Sequence, residues 1–298
     1  MPKLIVIGGP TASGKTALAV EIAKKLNSEV ISADSLLVYR DLNIGTAKPS
    51  EEEMQGVTHR MIDVVSPTEE FSVSDYERGA MPHIERLLSE GKSPVICGGT
   101  GFYLNALLYK SGFGGAPANE EIRQKYELFA EERGLDALHE KLREMDPESA
   151  SILHPKDKKR VIRAIEIFET TGKKKSDQRD ERIERFSFEA FTVDYPREVL
   201  YDRINRRVDL MFEAGLVEEV QSLLANGVSE SSQCMQGIGY KEVVEGLKTE
   251  CDMNTVSDVI KQRTRNYAKR QITFFKRMDH YHYLSPDSDQ IGEIMRLL

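Results

Sequence analysis

No tryptophan occurs among the 298 residues, and the three cysteines, Cys97, Cys234 and Cys251, are too few and too widely spaced for a zinc site or a disulfide framework. Such usage fits a reducing compartment, with the thiols acting as small apolar side chains. Long apolar runs are missing too: stretches such as LIVI and LLVY have four residues, where a bilayer span needs ~20. The opening MPKLIVIGGP enters a strand and a glycine turn at once, which leaves no room for a signal peptide, so a soluble cytoplasmic protein is expected. Positive charge is in deficit. A net charge of −8 would, taken alone, argue against a nucleic-acid partner.

What is present is an α/β pattern. KLIVI, glycines and a periodic helix read as strand, tight turn and helix, and SEVISADS and SPVICGGTG are further short strands ending in polar or glycine-rich turns. Between the latter two, SVSDYERGAMPHIERLLSEG reads as a helix with Ser74 and Glu77 as a capping box and Gly91 as its stop. The first ~110 residues therefore predict three or four parallel strands wrapped by helices. After SGFGGAPAN the strand signal gives way to helices stopped at Gly134 and Gly172, then to KKKSDQRDERIER, which has the composition of a mobile loop. FSFEAFTVD returns the chain to the sheet, and the remainder reads as helical, with Leu200, Ile204, Val208 and Met211 on one stripe and Arg203 and Arg207 on another face. The expected architecture is a P-loop-containing parallel sheet core flanked by helices, residues 1–115 and 191–298, carrying a helical insertion domain, residues 116–190.

Gly9-Pro10-Thr11-Ala12-Ser13-Gly14-Lys15-Thr16 fits G-x-x-x-x-G-K-[ST] with a strand before it and a helix after. Backbone N–H groups and the positive helix end converge there on an anion, Lys15 adds charge, and the Thr16 hydroxyl can hold Mg²⁺. The motif leaves the ligand open. A triphosphatase normally adds an aspartate at a strand end, and SPVICGGTG has none. The one matching acid is Asp34 in VISADS, placed to take a proton from a nucleophile, or simply to cap a helix over SLLVY.

GGPTASGKT, SADSLLVY, NIGTAKPS, CGGTGFYLNALL, HPKDKKRVIRAIE, GIGYKE and AKRQITFFKR occur in the order seen in tRNA dimethylallyltransferases, and nearly the whole chain resembles that family. The resemblance implies transfer of the dimethylallyl group of dimethylallyl diphosphate to N6 of the adenosine 3′ of the anticodon, in tRNAs that read codons beginning with U. Asp34 then resembles the general base, Thr11 to Thr16 the diphosphate shell with Thr16 on Mg²⁺, and Arg207 an arginine that steadies the leaving diphosphate, with Arg206 and Arg203 as alternatives. Thr100 resembles a residue where the two substrates meet. Contacts to the tRNA anticodon stem-loop are implied for Asp34, Ser35, Leu36, Leu37 and Thr100. They are implied also for Gln236, Gly237, Gly239, Tyr240, Lys241, Lys269, Arg270 and Gln271, and in the insert for Arg123, Lys159, Arg160 and Arg163. Phe274 stands where the family often has tryptophan, and no zinc-finger tail follows, as in bacterial members; a monomer is the family expectation.

Local charge reconciles an acidic chain with tRNA. Between Lys261 and Arg277 there are seven Lys or Arg and no acid, and Lys156, Lys158, Lys159, Arg160, Arg163 and Lys173 to Lys175 add a second patch. If about four phosphates are engaged, log affinity should fall with log salt at a slope of roughly −3. Three other readings share parts of this pattern: a small-molecule kinase using ATP on the loop, a prenyl enzyme for free adenine nucleotides, and a tRNA-binding protein without catalysis.

Overall fold

The computed structural model describes residues 2–110, 119–177, 183–278 and 280–298. The chain divides into two compact units, Met1–Leu108 with Arg185–Leu298, and Tyr109–Glu184. The changeover therefore falls some residues before the expected 116 and 190. Arg185 N–H already bonds to the Leu108 carbonyl at 2.8 Å, and Tyr109 pairs antiparallel with Glu184. The junction 111–118 and the stretch 178–182 of the expected mobile loop lie outside the described residues.

In the first unit the elements run β1 (Leu4–Gly8), α1 (Lys15–Lys25), β2 (Val30–Ser32), α2 (Glu51–Met54), β3 (His59–Arg60), α3 (Val73–Ser89), β4 (Val95–Gly98) and α4 (Gly101–Leu108). Six strands form one sheet in the order β3-β2-β4-β1-β5-β6, all parallel, with β5 at Phe188–Val193 and β6 at Tyr281–Leu284. Every residue of β1 is buried because neighbours flank it on both sides: Ile5 and Ile7 pair with Val95 and Cys97 on β4, and with Glu189 and Phe191 on β5. Helices cover both faces of such a strand, which is why it reads as an unbroken apolar run. Leu18, Ala19, Ile22 and Ala23 of α1 pack with Ile5, Ile7, Val95 and Phe191 into the core.

Parallel register brings Gly8, Ser32 and Gly98 to one edge of the sheet, so the loops after β1, β2 and β4 open together. The chain leaves β1 for β2 on one side and adds β5 on the other; the crevice at such a switch point is where α/β sheets bind ligands. Two strands escaped the sequence reading. β3 has two residues and β6 only four, too short to show a period of two, and the segment holding β6 had been expected to be helical. Its Tyr281 ring stacks on Phe275 at 5.3 Å, which fixes the strand on the sheet edge. The capping box of α3 is also two residues earlier than expected: Ser72 Oγ accepts from Asp75 N–H, and Asp75 accepts from Ser72 N–H. Glu77 pairs instead with Arg185.

The second unit holds α5 (Glu120–Arg133), α6 (Leu135–Met145), α7 (Pro147–Ile152) and α8 (Lys158–Thr171) around Tyr126, Leu138, Leu142, Val161 and Ile165. The remaining helices of the first unit are α9 (Arg197–Glu213), α10 (Leu216–Ala225), α11 (Tyr240–Lys248), α12 (Met253–Phe275) and α13 (Gln290–Leu297). In α9, Leu200, Ile204 and Val208 of the expected stripe are buried at four-residue spacing and Met211 is half-buried, which turns Arg203 and Arg207 toward the loop after β1.

Candidate functional site

Loops at the carboxyl edge of the sheet and side chains of α9 and α12 enclose a cavity of about 400 Å³, formed wholly within the first unit. The loop after β1 is its floor. Gly14 precedes α1 at φ 81°, a left-handed conformation that suits glycine, and α1 starts without a side-chain cap, so its first-turn N–H groups are left to a ligand. Thr11, Lys15 and Thr16 line the cavity. Gly9, Pro10, Ala12, Ser13 and Gly14 shape the turn behind them, and Ser13 Oγ is buried with no partner among the described residues.

Remote helices hold this turn. Gln271 of α12 accepts from Thr11 N–H at 2.9 Å and donates to the Gly99 carbonyl at 3.1 Å. Arg203 of α9 donates to the Ala12 carbonyl at 2.8 Å, and its guanidinium lies 4.8 Å from the Tyr195 ring centre. Arg207 Nη1 reaches Thr11 Oγ1 at 3.5 Å and lines the cavity, whereas Arg206 is 77% exposed and pairs with Asp202. Loss of water holds the Lys15 ammonium below the usual lysine range; Cys97 and Asp34 oppose that, and Arg207 adds to it. Burial likewise lowers the Arg207 guanidinium. Two desolvated cations near an uncapped helix start favour a multiply charged anion.

Asp34, past the end of β2, lines the same cavity. Its Oδ1 accepts from Leu36 N–H at 2.9 Å, so the capping alternative is half right: it caps the turn 35–38, which is not a helix. Oδ2 has no protein partner among the described residues, and is the oxygen open to a substrate proton. Ser35, Leu36 and Leu37 line the cavity beside it. Thr100 does not; its Oγ1 accepts from Ser35 N–H at 3.1 Å, so it steadies the Asp34 loop from behind.

Gln236, Gly237 and Gly239 form part of the wall, with Arg270 and Gln271. Tyr240 was expected to touch tRNA, but it is fully buried, since its ring packs on Gly45 and its hydroxyl donates to Glu219. Gln271 is also buried and committed to Thr11 and Gly99. Lys241 pairs with Glu245. Of the basic run on α12, Lys261 pairs with Asp209 and Arg263 with Glu242, while Lys269 and Arg270 are exposed and make no ion pair among the described residues. Phe274 packs edge-on against Phe275 at 5.3 Å. In the second unit Arg123 and Arg163 both bind the fully buried Glu166, at 2.9 and 2.6 Å. Arg160 lies 3.4 Å from Asp157, and Lys159 is exposed.

Sequence reading missed Tyr267, Thr264 and Ile260, which line the cavity with Gln271. Their spacing of four, three and four residues is one helical stripe, in which polar residues continue an apolar seam. Burial pushes the Tyr267 hydroxyl up to about 12, with Asp34 adding to the rise. Cys97, under Lys15, is pushed up by burial to about 11 and stays a neutral thiol.

Residues 37–278 match the family model described as IPP transferase. The chain is similar to the tRNA dimethylallyltransferase of Acetivibrio thermocellus, 46% identical over 290 residues that cover 96% of this chain and 93% of that protein. It is similar also to the full-length tRNA isopentenylpyrophosphate transferase of Bacillus halodurans, at 41% identity and TM-score 0.73, covering 100% of this chain and 94% of the other. A eukaryotic dimethylallyltransferase, described as acting on tRNA, aligns with TM-score 0.84 at 29% identity, over 100% of this chain and 78% of its own.

Proposed function

The chain belongs to the IPP transferase family of tRNA dimethylallyltransferases and is a tRNA-modifying prenyltransferase, and from that premise we propose how its own residues do the work. The donor is dimethylallyl diphosphate, and the acceptor is N6 of the adenosine 3′ of the anticodon in tRNAs reading codons that begin with U. The observation that carries this reading is one cavity shared by Asp34, whose Oδ2 is free of protein partners among the described residues, and by Lys15, Thr16 and Arg207.

The turn from Thr11 to Thr16, with Lys15 and Arg207, grips the diphosphate. Leu37, Ile62, Val208, Met211 and Ile260 supply apolar lining suited to a five-carbon tail. N6 attacks C1 of the donor, the C1–O bond breaks, and its electron pair departs with diphosphate. Asp34 Oδ2 takes the proton from N6, and the two cations offset the charge that grows on the leaving oxygen. Exocyclic amines are weak nucleophiles, so orientation in a dry cavity contributes much of the rate, on the order of 7–11 kcal/mol in well-aligned systems.

Mg²⁺ fits the residues present. Among the described residues no cluster of acids, histidines or cysteines could hold a metal alone, and the Thr16 hydroxyl, which lines the cavity, suits an ion bound largely through phosphate oxygens and water. When bound it would neutralise charge on the diphosphate. The anticodon stem-loop is the macromolecular partner, engaged by Lys269 and Arg270 on α12 and by Lys159 and Arg160 on α8, and the enzyme acts as a cytoplasmic monomer. Among the described residues no helix is long and apolar enough to cross a membrane.

The test is mass analysis of undermodified tRNA incubated with the protein and dimethylallyl diphosphate. The expected product carries one added C5H8 unit on that adenosine. Consumption of ATP with no prenylated base would replace this reading with a kinase.

A further inference from the structure

Glu219, in the first turn of α10, is absent from the cavity lining, yet its carboxylate accepts four hydrogen bonds. Oε2 accepts from Asn43 N–H at 2.9 Å and Ile44 N–H at 2.8 Å. Oε1 accepts from Gly45 N–H at 3.1 Å and from the Tyr240 hydroxyl at 2.6 Å. Three successive backbone N–H groups make an anion nest, and here the protein supplies the anion itself.

The bonded partners lead directly into two walls of the cavity. Gly45, Thr46 and Ala47 line it, and Tyr240 continues from Gly237, Ile238 and Gly239, which line it as well. Gly45 and Tyr240 meet closely: a Cβ on residue 45 would lie 2.6 Å from the Tyr240 ring. The loop that carries Gly45 holds two non-glycine residues in the left-handed region, Asp41 at φ 65° and Ala47 at φ 50°. Such backbone persists only where surrounding interactions over-determine it. Burial, with Glu219 adding to it, raises the Tyr240 hydroxyl far above its ordinary value, so it remains a donor at all physiological pH.

The geometry points to Glu219 as a positioning residue that clamps both wall segments and keeps water out of the cavity during transfer. This rests on the dimethylallyl reading above. A loosened wall admits water at C1: the water oxygen bonds to C1, the C1–O bond breaks, diphosphate leaves with the electron pair, and the water's extra proton passes to solvent. The product is dimethylallyl alcohol instead of modified tRNA. The clamp therefore controls coupling, the amount of diphosphate released per adenosine modified.

Glu219→Gln isolates the effect. With its oxygen on Asn43 and Ile44 its amide nitrogen faces Gly45 N–H, so the wall loses one bond and meets an opposed donor, while the Tyr240 hydroxyl turns to accept. Diphosphate release and modified adenosine are counted in the same reaction, together with KM for dimethylallyl diphosphate. Coupling in the parent protein should be near one, and in Glu219→Gln the excess of the ratio over one, the dimethylallyl alcohol formed per modified adenosine, should rise about fivefold, the equivalent of removing one net hydrogen bond. Tyr240→Phe, which leaves the nest intact, should give a smaller rise, and tRNA affinity should stay within about twofold in both, since neither group faces the RNA from the surface. Folded variants whose alcohol formed per modified adenosine matches the parent's, with an unchanged KM, would overturn the clamp. Should Glu219→Gln fail to fold, Tyr240→Phe decides alone. A parent protein that makes no prenylated tRNA would sink the functional reading instead, so the two failures are distinct.

Discussion

The floor of the cavity and its far wall are built by different means. The floor, Thr11 to Thr16, is one contiguous stretch where a strand has ended and a helix begins without a side-chain cap. The wall is gathered from Asp34 to Ala47, Arg207 to Met211, Gly237 to Gly239 and Ile260 to Gln271, segments far apart in sequence. Even the floor leans on the wall's elements, since Gln271, Arg203 and Arg207 bond to Thr11 and Ala12. The contrast teaches that a P-loop turn carries its shape locally, while its alignment with Asp34 and Arg207 is a tertiary property.

The sharpest way to break that contrast is at the one wall residue that should do chemistry. Asp34→Ala is expected to lower single-turnover transfer by about 10²–10⁴-fold, the range for a missing general base, while tRNA affinity stays within severalfold. An active variant would remove Asp34 from the mechanism. Next is the pair of arginines on α9. Arg207→Ala should cost about 10²–10³ in kcat by removing a donor to the departing charge, whereas Arg206→Ala, at an exposed ion pair, should change it less than about twofold. The reverse ranking would move the role to Arg206.

Gln271→Ala tests whether the floor holds itself. It leaves Thr11 N–H and the Gly99 carbonyl without their partner, which should reduce stability by about 1–3 kcal/mol in denaturant titrations and raise KM for the donor. An unchanged midpoint and KM would mean that the turn needs no help from α12.

The second unit is assembled in the same non-local way, and acid should expose it. Burial alone would raise the Glu166 carboxyl, but Arg163, Asn119 N–H and Arg123 outweigh that and hold it below its ordinary 4.5. Asp146, against burial, is lowered by bonds from Ser149 and Ser176, and Glu169 by Tyr126 and Lys125. Because the folded values lie below the unfolded ones, their stabilisation is complete above the ordinary carboxylate range and is lost as pH falls through the folded values. Melting temperature should therefore drop from about pH 5 downward, and Glu166→Gln should flatten that limb. The smallest effect separates cations without an ion pair among the described residues from paired ones. Lys269→Ala or Lys159→Ala should each reduce the salt slope of tRNA binding by about 0.7 for every phosphate the protein no longer neutralises. Arg163→Ala should act mainly on stability, because its charge is spent on Glu166.

Where local pattern was strong, sequence reading reached the molecule. LIVIG announced a strand buried on both faces, the glycines and Lys15 announced the turn, and Gly134 and Gly172 ended helices α5 and α8 as expected. It faltered where an element is short or a side chain serves two ends. β3 and β6 are too brief to show a period, and Asp34 caps a turn with one oxygen while offering the other to the cavity. Tyr240 and Gln271 looked like RNA-touching residues because they sit in recognisable strings, yet both are buried and bonded inward. No one-dimensional pattern distinguishes a tyrosine that touches RNA from one that holds a wall.

By itself the sequence determined a glycine-rich strand-to-helix turn of P-loop pattern, a parallel core and the kinship that implies prenyl transfer to tRNA, because these depend on backbone conformation and on ordered strings of residues. Only the tertiary structure decided which arginine of INRRV enters the cavity, which basic residues make no ion pair among the described residues, and that Glu219 ties two walls together. Those outcomes depend on which carboxylates and amides come within about 3 Å of one another, a range over which hydrogen bonds form or fail, and chain separation carries no such distances.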